Sequence, residues 1–254
     1  MSSFEEFKSK CKIEVSAMGA DHDLKKKSLD WMIASSKLRY SYHFDWLGRP
    51  IIQFPQDIVA LQEIIWANKP DLIIETGIAH GGSLILSASV LALLDLIDRE
   101  NGEEFRASRK VIGIDIDIRE HNKRAILGHP LASRIEMFEG SSIAPEIVDS
   151  VRKVAQNYSR IMVILDSNHT HDHVLQELKL YNNFVTSGQY LIVFDTVIEN
   201  FPADTYFDRP WDVGNNPKTA VKEFLKTNSD FYLDETIENK LLITVAPNGY
   251  LVRR

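Results

Sequence analysis

Two hydrophobic periods alternate along this chain. From residue 70 onward, short runs of consecutive apolar residues recur: Asp71–Glu75 (DLIIE), Lys110–Asp115 (KVIGID), Arg134–Phe138, Arg160–Leu165 (RIMVIL) and Gln189–Phe194 (QYLIVF). Runs of this length without polar alternation predict strands buried on both faces, as in a parallel sheet. Between them, apolar residues at helical spacing predict helices over about 82–97, 119–127, 145–156 and 171–184, the third opening at Pro145. Five strand–helix alternations in succession predict an α/β, doubly wound sheet. The pattern breaks over 197–217, where Pro202, Pro210, Pro217 and Gly214 accompany polar and aromatic residues. An irregular stretch that long in a compact domain is usually a lid or another functional segment. A helix is predicted over about 217–226. Phe231–Ile237 and Leu241–Val245 then read as two strands joined by Glu238-Asn239-Lys240.

The first 69 residues follow another pattern. Helical periodicity appears around 22–36 and 56–67, the second opening at Pro55-Gln56-Asp57 and carrying Ile58, Leu61, Ile64 and Ile65. Between them lies an aromatic segment with Tyr40, Tyr42, His43, Phe44 and Trp46. The expected organisation is a helical and aromatic cap over 1–69 and a ligand-binding α/β domain over 70–254.

Composition narrows the choice of function. Among 254 residues, 36 are acidic and 29 are Lys or Arg, a net charge of −7, which argues against a nucleic-acid binder held by phosphate contacts. Cys11 is the one cysteine, so no disulfide forms within the chain and no cysteine-rich zinc site exists. A reducing, cytoplasmic setting follows as the simplest expectation. The most apolar stretch, Leu84–Ile97, contains Ser87, Ser89 and Asp95 and is shorter than the ~20 residues of a membrane span, so no membrane role is expected.

Four constellations carry candidate chemistry, each at a predicted strand end, where open α/β sheets bind ligands. The first is Glu75-Thr76-Gly77-Ile78-Ala79-His80-Gly81-Gly82-Ser83. Glycines there let backbone approach a ligand, and the helix that follows offers free N–H groups. The spacing is neither a dinucleotide fingerprint nor a P-loop, and a plain tight connection is the competing reading. The second is Asp115, whose carboxylate suits two ribose hydroxyls. It lies about 40 residues after the glycine turn, against ~20 for a nicotinamide cofactor, and an inserted loop over 100–110 accounts for the gap. The third is Asp166-Ser167-Asn168-His169-Thr170-His171-Asp172-His173. Helical geometry sends residues i and i+2 apart, so Asp166 and His169 are expected in the cleft, with His171 and His173 capping, packing or in solvent. The fourth is Asp195-Thr196. Two carboxylates at adjacent strand ends, Asp166 and Asp195, repel unless a cation neutralises them, and oxygen ligands favour a hard cation such as Mg²⁺. N-capping by the same two aspartates is the alternative.

Taken in order, these pieces resemble the class I S-adenosylmethionine-dependent methyltransferases of the cephalosporin hydroxylase-like group, which includes rhamnosyl and macrolide-sugar O-methyltransferases. The resemblance runs from about Trp46 to the C-terminus, most specifically in WLGRPIIQFPQD (46–57), ETGIAHGGS (75–83), LDSNHTHDHV (165–174), VFDT (193–196) and LLITVAPNGYLVRR (241–254). It implies a Rossmann-like, seven-stranded sheet whose last strand, here about 241–246, is antiparallel. It implies S-adenosylmethionine contacts at Glu75, Gly77, Gly81, Ser83 and Asp166, ribose at Asp115 and the adenine side near Ser142. It also implies Mg²⁺ on Asp166 and Asp195, and His169 as the general base that takes the acceptor's proton. The implied enzyme transfers a methyl group to a hydroxyl of a sugar or similar natural product and forms a homo-oligomer. The chain departs from the pattern where Phe194 replaces a frequent Glu and His80 a frequent Arg. Aromatic residues at 40–46 and Phe201, Tyr206, Phe207 and Trp211 would roof the site, or pack in the core. Two other readings stay open: a metal-dependent hydroxylase or hydrolase using the His/Asp cluster, and a non-catalytic methyltransferase-like subunit.

Overall fold

The computed structural model describes residues 3–102, 109–205 and 207–254. Residues 103–108 of the inserted loop expected at 100–110, and Tyr206 of the expected roof, lie outside the described residues. Two helices open the chain, α1 (Ser3–Ala20) and α2 (His22–Ser36), followed by an antiparallel ribbon of β1 (Phe44–Trp46) and β2 (Arg49–Ile51) and then α3 (Pro55–Asn68). The α/β body continues with β3 (Leu72–Thr76), α4 (Gly82–Glu100), β4 (Lys110–Asp115), α5 (Glu120–Leu127), β5 (Ile135–Glu139), α6 (Pro145–Ala155), β6 (Ile161–Leu165), α7 (His171–Tyr181) and β7 (Tyr190–Val193). It ends with α8 (Pro217–Thr227), β8 (Phe231–Leu233), α9 (Glu235–Leu241) and β9 (Tyr250–Arg253).

The main sheet has seven strands in the order β5-β4-β3-β6-β7-β9-β8. The five from β5 to β7 are parallel, and β9 runs antiparallel to both β7 and β8. This is the expected Rossmann-like sheet with an antiparallel last strand. Every residue of β3 and β6 is buried, which puts them at the centre. The order reverses between β3 and β6, the switch point at which such sheets open a crevice beyond their carboxyl ends.

Each face of the sheet has its own apolar core. One joins Ile73, Val111 and Met162 to Leu61 and Ile65 of α3, Leu84 and Leu91 of α4, and Ile51 and Phe54. The other joins Ile74, Ile112 and Val163 to Val148 and Val151 of α6, Leu178 of α7 and Phe224 of α8. The aromatic segment packs inward. Tyr40 meets Trp31, Phe44 and Phe54 at ring-centroid distances of 5.0, 5.1 and 5.7 Å, and the Trp46 indole donates to Ser89 Oγ. Tyr40, Phe44 and Trp46 are thus half-buried against the core, while Tyr42 stays exposed.

The C-terminal expectation needs correction. The last strand is Tyr250–Arg253, and residues 235–241 form a helix where the end of one strand and the joining turn were expected. The Asp234 carboxylate accepts from Thr236 N–H and caps that helix. The apolar run after it is held by a buried acid. Asp57 accepts from Thr244 Oγ, Val245 N–H and Tyr250 Oη, so this stretch cannot enter the ladder. Pairing resumes at Gly249, where a Cβ would overlap the Val193 carbonyl oxygen that borders the strand. Helix α1 was not foreseen either. None of its residues is fully buried, so it carries little apolar signal to read. Among the described residues, no helix is long and apolar enough to cross a membrane.

Candidate functional site

The glycine turn after β3 is built by close approach. Gly77 has φ +92°, and a Cβ there would overlap the carbonyl oxygen of Asp166 on the neighbouring strand end. Gly81, at φ +84°, is the N-cap of α4. The turn is laced on all sides. The Asp115 carboxylate accepts from Ile78 N–H (2.8 Å) and Ala79 N–H (3.2 Å). The Arg49 guanidinium donates to the His80 carbonyl (3.0 and 2.6 Å) and to Asn122 Oδ1 (3.1 Å), while Asn122 Nδ2 donates to the Ala79 carbonyl (2.9 Å).

Beneath the turn, Glu75 is 1 % exposed. Ser83 Oγ donates to its Oε1, and Oε2 is left without a partner. Burial pushes this carboxyl up to about 8, the Ser83 hydrogen bond opposing it only in part. The unpartnered carboxyl oxygen under the helix N-terminus can accept from a donor group that enters there.

A hollow of about 330 Å³ opens beyond β3 and β4, lined by Gly77, Asp115, Ser142, Ser167 and His173 among others. A smaller hollow shares Gly77 and adds Gln53, His80, Ser83 and Asp166. Of the expected ligand contacts, Gly77, Ser83, Asp115, Ser142 and Asp166 thus line this cleft, whereas Gly81 shapes the turn and Glu75 lies under it. Two residues were missed. His173 was expected to cap, pack or face solvent. Instead its Nε2 lies 3.0 Å from Ser142 Oγ in the larger hollow and 3.6 Å from the buried Glu177, which also accepts from Ser167 Oγ. The i, i+4 spacing of His173 and Glu177 on one helix was the available signal. Its neighbour His171 turns the other way and packs on α8 through Thr219 (2.8 Å) and Glu223 (3.3 Å). Gln53 is the second. Its Nε2 donates to Asp166 Oδ2 at 3.2 Å, and its place in the 46–57 stretch that carries the resemblance was the available signal.

At the ends of β6 and β7, Asp166, His169 and Asp195 converge, one ligand atom from each lying within 4.8 Å of the others. Asp195 sits in the left-handed region at φ 56°, which turns its side chain back toward β6. His169 Nε2 lies 3.1 Å from Asp195 and 3.6 Å from Asp166 yet makes no aligned hydrogen bond to either. Burial and the neighbouring Asp195 charge push Asp166 up to about 7, the contact with His169 opposing them. Burial disfavours the imidazolium, but Asp195 and Asp166 outweigh it, so the His169 pKa is raised. The two carboxylates converge on one point and form an oxygen donor set that fits a divalent cation, with His169 Nε2 beside it. Phe194, where the resemblance implied a Glu, is 2 % exposed in the core and contributes no ligand atom. Trp211 covers the cluster, its ring centroid 4.7 Å from that of His169. Of the other residues expected in the roof, Phe201 is buried and Phe207 stands in solvent.

Comparison with known proteins gives a consistent picture. The family described as rhamnosyl O-methyltransferase/CmcI matches residues 38–254. A rhamnosyl O-methyltransferase of Mycobacterium leprae (strain TN) is 30% identical over 211 residues, covering 82% of this chain and 82% of that protein. One of Mycobacterium tuberculosis (strain H37Rv) is 32% identical over 202 residues, covering 78% and 73%. Two solved structures share the fold. A CmcI structure with Mg and SAM is 18% identical with a TM-score of 0.54, covering 84% of this chain and 77% of that one. An O-methyltransferase from Bacillus cereus in complex with SAH is 14% identical with a TM-score of 0.51, covering 92% of each.

Proposed function

The chain belongs to the rhamnosyl O-methyltransferase/CmcI family, and from that premise we propose how its site works: the methyl group of S-adenosylmethionine passes to a hydroxyl of a sugar or similar polyhydroxylated acceptor, assisted by a divalent cation such as Mg²⁺. The observation that carries this proposal is the convergence of Asp166, His169 and Asp195 beside the glycine turn.

Asp166 and Asp195 would hold the cation, which when bound acidifies and orients an acceptor hydroxyl and its neighbour. His169 Nε2, 3.1 Å from Asp195 and without an aligned hydrogen bond of its own, takes the hydroxyl proton. Gln53 steadies Asp166 from the side away from His169. On the cofactor side, S-adenosylmethionine supplies the electrophilic sulfonium methyl. The turn at Gly77 admits its backbone-close portion, Glu75 and Ser83 face its amino-acid end, Asp115 its ribose and Ser142 the adenine side. Asp115 already accepts three backbone amides, from Ile78, Ala79 and Asp117, and keeps one of a carboxylate's roughly four lone-pair sites for a ribose hydroxyl. Trp211 screens the reacting region from water and offers a ring face to an acceptor. Bringing two bound reactants together provides much of the rate gain. Self-association and a cytoplasmic setting complete the proposal, the first open to light scattering.

An iron facial triad would need two histidines and one carboxylate. Here His171 and His173 bind Thr219 and Ser142 instead, and nothing in the cluster favours that chemistry. The test is methyl transfer from S-adenosylmethionine to rhamnosyl glycosides, followed by mass spectrometry. Methylated product from wild type, and loss of it in Asp166→Ala and His169→Ala, is expected. Wild-type rates in both variants would refute the assigned roles.

A further inference from the structure

A cavity of about 340 Å³ lies apart from the cleft and shares no lining residue with it. It is enclosed by α2, the turn that follows Asp195, the start of α8, α9 and the segment 242–248. We propose that this cavity binds a small amphipathic anion, a carboxylate or similar headgroup on an apolar body.

The floor is apolar, formed by Leu29 and Met32 of α2 and by Val197. Its volume is at the lower end of small-molecule pockets, about 300–1,000 Å³. Charge sits at the edge. Lys25 and Lys218 line the cavity against a single carboxylate, Glu238. That carboxylate is already occupied, accepting from Asn248 N–H and Asn248 Nδ2. The Lys218 ammonium donates to the neutral Asn200 Oδ1 at 3.0 Å, and among the described residues neither Lys218 nor Lys25 has a carboxylate within ion-pair distance. Lys26, also at the rim, is spent on Asp30. Glu199 also faces Lys218 from outside the lining, its Oε2 already accepting from Gly214 N–H and Asn216 Nδ2, so neither Lys218 nor Lys25 at the mouth is held in an ion pair. Burial disfavours the Lys218 charge, and an anion beside it would offset that cost.

Part of this cavity comes from outside the span matched to the family. Lys25, Leu29 and Met32 all precede residue 38, where the match to the family begins. The apolar floor is therefore built largely on residues outside the matched span, and methyl transfer as proposed uses none of the lining.

Isothermal titration of the full chain with decanoate, without cofactor or metal, tests the proposal. Decyltrimethylammonium supplies the same tail with the opposite charge, and acetate the headgroup without the tail. Decanoate is expected to bind and both comparators to fail. Lys218→Met and Lys25→Met should each weaken decanoate about tenfold, the loss of one charge-assisted contact, and Leu29→Trp should abolish binding by filling the floor. Thermal melts establish that each variant is folded, and the two lysine variants keep the test decisive if the tryptophan is not tolerated. No decanoate binding, equal binding of decyltrimethylammonium, or unchanged decanoate affinity in folded Lys218→Met and Lys25→Met would overturn the proposal.

Discussion

Glu75 shows how a single side chain ties the fold to the ligand. Its folded pKa of about 8 lies above the ordinary value of 4.5, so the folded chain holds a proton that the unfolded chain releases across that interval. Stability of the ligand-free chain should therefore fall as pH rises from about 5 to 8 and level off above, a loss on the order of a few kcal/mol. Asp166, raised to about 7, and His169, also raised, act in the same direction. Melting temperatures across this range should show the decline, and Glu75→Gln should flatten much of it. A cationic ligand group near Glu75 would favour the carboxylate, so S-adenosylmethionine binding near pH 7.5 should release a proton. Calorimetry in two buffers of different ionisation enthalpy checks this. The residues with chemistry were legible in sequence where a strand end and a reactive type coincide, as at Asp115, Asp166 and Asp195. Gln53, Arg49 and Asn122 were not legible in that way, because they reach the site through contacts 31 to 113 residues distant in sequence.

At the scale of elements, one close approach decides how the ends of β3 and β6 meet. A Cβ at Gly77 collides with Asp166 and demands a strained φ, so Gly77→Ala should cost ~1–3 kcal/mol and displace the turn that forms the cofactor hollow. Loss of S-adenosylhomocysteine binding in a still-folded variant is the expected calorimetric result. Arg49→Ala leaves the turn without its clamp on His80 and should weaken binding about tenfold with little change in melting temperature. The element pattern was readable wherever one period dominated, as in β3, β4, β6 and α6. It misled over 234–249, because a short apolar run does not tell strand from loop. There the outcome depended on Asp57, a buried carboxylate nearly two hundred residues away that collects Thr244, Val245 and Tyr250.

Across the whole molecule, the cap over 1–69 and the domain over 70–254 stand as a proposed division, with the cap as a covering segment. Ile51, Phe54, Leu61 and Ile65 complete the core on the α4 face, so a fragment of residues 70–254 should not fold, whereas removing residues 1–20 should leave cofactor binding intact. Circular dichroism of the two truncations distinguishes them. The central claim is that Asp166 and Asp195 hold a divalent cation beside an S-adenosylmethionine pocket. Its most direct test is calorimetric titration with S-adenosylhomocysteine, with and without Mg²⁺, on wild type and on Asp195→Asn. Binding in both conditions, with a Mg²⁺-dependent change that Asp195→Asn abolishes, is the predicted result. Absence of S-adenosylhomocysteine binding in wild type, or a Mg²⁺ effect untouched by Asp195→Asn, would contradict it.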